Sequence, residues 1–180
     1  MTFPPHEKLV AIWIDEKVRV PWLAEMISAT RERFAWAVVS NAELALPGDV
    51  AKLRRPVFED GWRDLFASLR PVLFVRPTPN ANWLDDHALL MGAAAGCSIL
   101  AGRESFSERL HANMDLTWLA SDRPNIWIDA VKSCEGQGTA TKTRLLEQAK
   151  SFWLQPEHGL GWLEIDAMTG SRSDAIAKVA

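Results

Sequence analysis

The sequence predicts an α/β fold: a single lobe built on a mostly parallel sheet with helices on both faces. Three observations point there. Short apolar runs alternate with longer stretches of helical periodicity from residue 8 to residue 154. The apolar runs lack the polar alternation of half-exposed strands, as strands buried on both faces do. Proline, glycine and asparagine punctuate most of the changeovers. Strands alternating with helices at this spacing are joined by crossovers, and so run parallel.

Each element has its own signal. KLVAIWI (8–14) is too short for a helix and apolar enough for a buried strand. Pro21 opens PWLAEMISATRERF, where Leu23, Ile27 and Phe34 recur at helical spacing and proline suits the first turn. AWAVVSN (35–41) is a second strand, ended by Asn41. ALPGDVAKLRRP is loop-like around Pro47 and Gly48, with VAKL as a short strand inside it. EDGWRDLFASL reads as a helix with Trp62, Phe66 and Leu69 on one face and Asp60 as its cap. Pro71 stops it, and VLFV (72–75) is the strongest strand in the chain. Residues 83–95 form the next helix and SILA (98–101) the next strand, so 72–75 and 98–101 are expected as interior neighbours. SFSERLHAN is a short helix capped by Ser105 or Ser107, and DLTWLA (115–120) a strand. IWIDAVKSCE is either a helix or a strand followed by one. TKTRLLEQAKSFWL (141–154) is an amphipathic helix. The pattern weakens after Pro156, which divides the chain into a domain over 1–155 and a C-terminal extension over 156–180 that is peripheral or loosely ordered.

Composition removes several function classes. The 180 residues are enough for one domain with a substantial core, and 48% hydrophobic with 24% charged residues is ordinary for a globular chain. A net charge of −3 and a pI near 5.8 leave no electrostatic footprint for nucleic acid. No apolar run has the length of a membrane span. The N-terminal MTFPPHEKL lacks the build of a signal peptide, so the expected compartment is the cytoplasm. Cys97 and Cys134 are too few and too far apart for a metal site or a disulfide framework. Of the nine tryptophans, Trp13, Trp36, Trp118 and Trp127 lie in or beside apolar runs and belong to the core.

In a parallel sheet, ligands bind outside the carboxyl ends of the strands. That rule selects the loops 14–21, 40–49, 76–87 and 101–107. The third is the richest in polar groups. Arg76 can fork onto a phosphate, Asn80 and Asn82 can bond sugar hydroxyls, and His87 follows Asp85 and Asp86 at the start of a helix. Arg103, Glu104 and Ser105 are the corresponding candidates in the fourth loop. The same residues also have structural roles, since asparagine and proline build turns and aspartate at a helix start complements the dipole. No GxxxxGK[ST] is present and no GxGxxG follows the first strand, so no bound cofactor is implied. Gly92 and Gly96 end a helix, where the dipole is negative and unsuited to phosphate.

The succession PVLFVRPTPNANWLDDHALLMGAAAGCSILAG (71–102), with AKSFW (149–153) as a closing helix, resembles the C-terminal, donor-binding lobe of two-lobed B-type glycosyltransferases. There a strand and a proline-containing loop lead into a helix of the form E-A-M-A-x-G-x-P-V and then a further strand. The resemblance implies a Rossmann-like lobe and a nucleotide-sugar ligand, and places the glycine of the A-x-G step on Gly96, close to the donor pocket. The sequence departs from the family at three places. The family's ribose-binding glutamate falls on Met91, the earlier acidic partner falls in 80–83 where no carboxylate stands, and the Gly-Arg…Lys set after the first strand is represented only by Lys17 and Arg19 nearby. Such enzymes work in a cleft between two lobes, and 180 residues build about one. Three expectations follow: a nucleotide-sugar-binding lobe, inactive alone and completed by a protein partner or self-association; a non-catalytic scaffold or interaction module derived from that fold; or an unrelated flavodoxin-like ligand-binding domain.

Overall fold

The computed structural model describes residues 8–15, 20–57, 59–77, 83–102, 105, 110, 112, 114, 116–119, 123–134 and 139–153. Among them run strands β1 (Leu9–Trp13), β2 (Ala35–Val39), β3 (Ala51–Leu53), β4 (Leu73–Arg76), β5 (Ser98–Gly102) and β6 (Thr117–Leu119). The helices are α1 (Leu23–Thr30), α2 (Glu59–Leu69), α3 (Trp83–Ala94), α4 (Pro124–Cys134) and α5 (Thr139–Trp153). The six strands form one sheet in the order β3-β2-β1-β4-β5-β6, and every pairing is parallel. This is a Rossmann-like α/β fold.

The two strands expected as interior neighbours are β4 and β5, paired from Leu73 against Ser98 to Arg76 against Ala101. VAKL contributes β3, a sheet edge of three residues. The stretch open to two assignments is helical over 126–134, as part of α4, with Pro124 in the first turn, where its missing N–H leaves nothing unsatisfied. Asp60 is the second residue of α2 rather than its cap. The helix expected over 105–113 lies mostly outside the described residues, and the extension 156–180 lies wholly outside them.

Strand pleating divides the core into two layers. Val10 and Ile12 of β1 face α1 and α4, in a cluster with Met26, Ile27, Trp36, Val75, Leu100 and Trp127. Ala11 and Trp13 face the other way, with Trp62, Phe66, Phe74, Leu89, Met91 and Leu145. Trp22 stacks on Trp127 at 5.1 Å between ring centres, tying the start of α1 to α4. With strands so thoroughly covered, the absence of polar alternation in the sequence has its cause.

The small-residue run 92–96 does two separate jobs. Gly92 is where α3 lies closest to the sheet: a Cβ there would stand 3.2 Å from Ile99 Cδ1 and 3.3 Å from both Phe66 Cζ and Phe74 Cδ1. Gly96 has open space around it but a φ of 78°. It closes α3 in a Schellman turn, with Gly96 N donating to Ala93 O and Cys97 N to Gly92 O, both at 3.0 Å. Its glycine is required by backbone handedness and not by crowding. Gly96→Ala is therefore expected to cost about 1–2 kcal/mol, the penalty of a left-handed non-glycine residue, with Gly96→Asn less affected; urea denaturation of the three proteins measures both.

Candidate functional site

A crevice for ligands opens in such a sheet where the strand order reverses, because helices leaving two neighbouring strands go to opposite faces. Here the reversal lies between β1 and β4. The chain after β1 leads to α1 on one face, and the chain after β4 leads to α3 on the other.

The last residues of those two strands pack against each other. Trp13 ends β1 and Arg76 ends β4, and both are fully buried. The Arg76 guanidinium carbon stands 3.8 Å from the centre of the Trp13 indole. Its Nη1 donates to the Trp13 carbonyl at 3.4 Å, and its Nη2 is 4.0 Å from Asp15 Oδ2. A buried cation is tolerable when a ring face, a carbonyl and a carboxylate all meet it. Trp62 of α2 leans on the same indole at 4.6 Å. The indole N–H groups of Trp13 and Trp62 are buried with no hydrogen-bond partner among the described residues.

A second guanidinium reaches the same ring from the chain just after β3. Arg55 has its guanidinium carbon 4.9 Å from the Trp13 centre, is half-buried, and makes no ion pair among the described residues. Its backbone N–H donates to Asn41 Oδ1 at 3.2 Å, which ties the loop after β2 to the end of β3. An open crevice of about 260 Å3 lies here, lined by Asn41, Arg55, Pro56 and Val57. Across the seam, Ser105 donates its hydroxyl to the Arg76 carbonyl at 2.9 Å and is itself fully buried. Gly102 permits that close return: a Cβ on it would lie 2.8 Å from Ser105 Oγ and 3.0 Å from Pro77 O.

Of the residues singled out from sequence, the fold brings Arg76 and Ser105 together. His87 is buried in α3. Gly96 lies at the opposite, amino edge of the sheet, just before β5 begins. Asn80, Asn82, Arg103 and Glu104 lie outside the described residues. Trp13, Asp15 and Arg55 were not singled out. The signal for Arg55 is the Arg54-Arg55-Pro56 run directly after VAKL, once that stretch is taken as a strand with a carboxyl end of its own. Met91, aligned with the family's ribose-binding glutamate, is fully buried in the core with Ala88 and Phe74.

The two thiols are not poised for chemistry. Burial pushes Cys97 up to about 12, against a smaller opposing pull from the Lys142 charge, and pushes Cys134 up to about 11. Cys97 donates to the Pro71 carbonyl at 3.1 Å. Among the described residues no group of three metal-ligating side chains is present, and no helix is long and apolar enough to cross a membrane.

Strand order and helix placement together define a Rossmann-like α/β unit. Among solved structures the chain is similar to WaaG, a glycosyltransferase involved in lipopolysaccharide biosynthesis. The TM-score is 0.61 at 14% identity, over 92% of this chain and 48% of that one. It is also similar to the glycosyltransferase GlyE of Streptococcus pneumoniae TIGR4, whose apo form gives a TM-score of 0.53 at 12% identity over 71% of this chain and 33% of that one. A second GlyE structure gives 0.50 at 13% identity, over 71% and 32%. The chain thus spans less than half the length of each neighbour, and at these identities the likeness is one of fold. No family model and no curated protein matches the sequence.

Two outcomes follow from this geometry. Arg76→Ala removes the buried cation packed on the Trp13 ring and its contact with Asp15, and is expected to destabilise the protein by about 2–3 kcal/mol in urea denaturation. Both thiols should resist iodoacetamide at pH 8 in the folded protein and react once it is unfolded. Their raised values mean the folded state holds its thiol protons more tightly than the unfolded chain. That contribution to stability is complete below about pH 9, the ordinary thiol value, and is lost as pH rises toward 11–12. Cys97→Ala should flatten that alkaline decline in denaturation midpoint.

Proposed function

We propose that this chain is a glycosyltransferase-like lobe that binds a nucleotide sugar at the carboxyl edge of its sheet. The observation that carries this is Arg55, a half-buried guanidinium with no ion pair among the described residues, held over Trp13 beside the crevice that follows β2 and β3. A planar, permanently charged fork in that place suits a diphosphate. Arg76, held by Trp13 and countered by Asp15, fixes the ring on which Arg55 rests. Asn41, which lines the crevice, is an amide within reach of hydroxyl groups. The fold likeness to WaaG and GlyE supports the ligand class.

Sugar transfer needs more than this. The donor must be held against an acceptor, with a base near the attacking hydroxyl. We assign those groups to a second lobe or partner chain, and these 180 residues alone are expected to bind without transferring. A second reading, a non-catalytic module that keeps the fold for protein contacts, is favoured by Met91, which packs into the core where the resembling family has a carboxylate.

Thermal denaturation against a panel of nucleoside diphosphates and nucleotide sugars separates the two, since a ligand bound to the native state raises the melting temperature. Donor binding predicts a saturable rise with at least one nucleotide. Arg55→Ala should weaken it about tenfold without lowering the melting temperature of the free protein. Incubation with the bound nucleotide sugar and an acceptor panel should release nucleotide no faster than spontaneous hydrolysis. Lack of any rise across the panel favours the scaffold.

A further inference from the structure

The other edge of the sheet holds a partly open pocket that the proposed donor site does not use. A cavity of about 140 Å3 is lined by Lys8, Phe34, Val72, Leu73, Ser98, Cys134 and Lys142, at the amino ends of β1, β2, β4 and β5. We propose that it is a second ligand site, for a small organic anion with a compact apolar body, of the size and charge of benzoate.

Size sets the apolar body. A dry cavity of roughly 150 Å3 accepts a benzene-sized molecule, and Phe34, Val72 and Leu73 supply apolar walls of that kind. The Cys134 wall is electrically neutral, because burial keeps its thiol protonated. Charge sets the anion. Lys142 stands in the first turn of α5, makes no ion pair among the described residues, and has no acidic residue beside it in that turn. Its field reaches the neighbouring Cys97 thiol, and the start of α5 adds the positive end of a helix dipole. Lys8 lines the cavity as a second cationic side chain.

The observation that points to a ligand is Ser98. Its side chain is buried, its hydroxyl has no hydrogen-bond partner among the described residues, and it lines the cavity. A buried hydroxyl left unpaired is costly and uncommon. A carboxylate oxygen bound between it and Lys142 supplies the missing partner. The nearby end of α3 does not oppose this, because the carbonyls of Gly92 and Ala93 already accept from Cys97 N and Gly96 N.

The test titrates the full chain with sodium benzoate at constant ionic strength, following melting temperature and heat of binding, with benzylamine as the isosteric cation. The site predicts saturable binding of benzoate and none of benzylamine. Lys142→Ala should weaken benzoate about fivefold or more, in keeping with loss of a partly desolvated charge partner. Ser98→Ala should weaken benzoate while leaving the free protein as stable or more so, since it removes an unpaired polar atom, an effect that a merely structural serine would not produce. Binding should be unchanged in Arg55→Ala, which separates this site from the carboxyl edge. No saturable benzoate binding, equal binding of benzylamine, or unaltered affinity in Lys142→Ala would each overturn the proposal.

Discussion

The contact between the Arg76 guanidinium and the Trp13 indole, 3.8 Å apart with both residues fully buried, holds the seam of this fold together. β1 and β4 are the strands on which the two halves of the sheet are hinged, and these residues end them. Parallel strands whose chains depart to opposite faces would leave a polar gap at this point. Here a ring face and a carbonyl receive the cation, with Asp15 as counter-charge. The arrangement also fixes the ring over which Arg55 stands, so one tryptophan carries two arginines, one fully buried and one half-buried.

That division has an energetic logic. A guanidinium surrounded by fixed partners has little freedom left to follow a ligand, whereas a half-buried one keeps its charge available and loses little hydration on binding. Arg55 is thus the half-buried charge at the crevice wall, with Arg76 fully buried against Trp13. Ser105 and Gly102 draw the chain after β5 against the Arg76 backbone and close the seam from the other side.

The two edges of the sheet differ in kind. The carboxyl edge is open, with the Arg55 and Arg76 guanidinium groups gathered around Trp13. The amino edge holds a partly open, mostly apolar pocket, with two lysines in its lining and a serine hydroxyl that has no hydrogen-bond partner among the described residues. α3 links them. It packs against the sheet through Gly92 and turns at Gly96 into β5, which carries Ser98 at one end and Gly102 at the other.

Much of the fold was legible along the chain. The buried strands of 72–75 and 98–101 announced themselves by unbroken apolar runs, because a strand covered on both faces has no polar positions to alternate. The left-handed turn at Gly96 was legible because a helix leaving its axis commonly ends on glycine. Strand order, and with it the site, was not. β3 is a three-residue edge strand, too short for a period to show, so the carboxyl end bearing Arg55 was not counted among the ligand-facing loops. Arg76 read as a free phosphate fork because sequence places it after a strand; only the register of β4 beside β1 brings Trp13 and Asp15 around it. Gly96 was assigned beside the donor pocket on motif alone, yet parallel strands put it at the opposite edge. Local pattern determined which segments are strands and helices, since period and turn chemistry act between near neighbours. Which charges meet which rings was decided by pairing between residues 63 apart in the chain, as in the Arg76–Trp13 contact, and no local signal carries that.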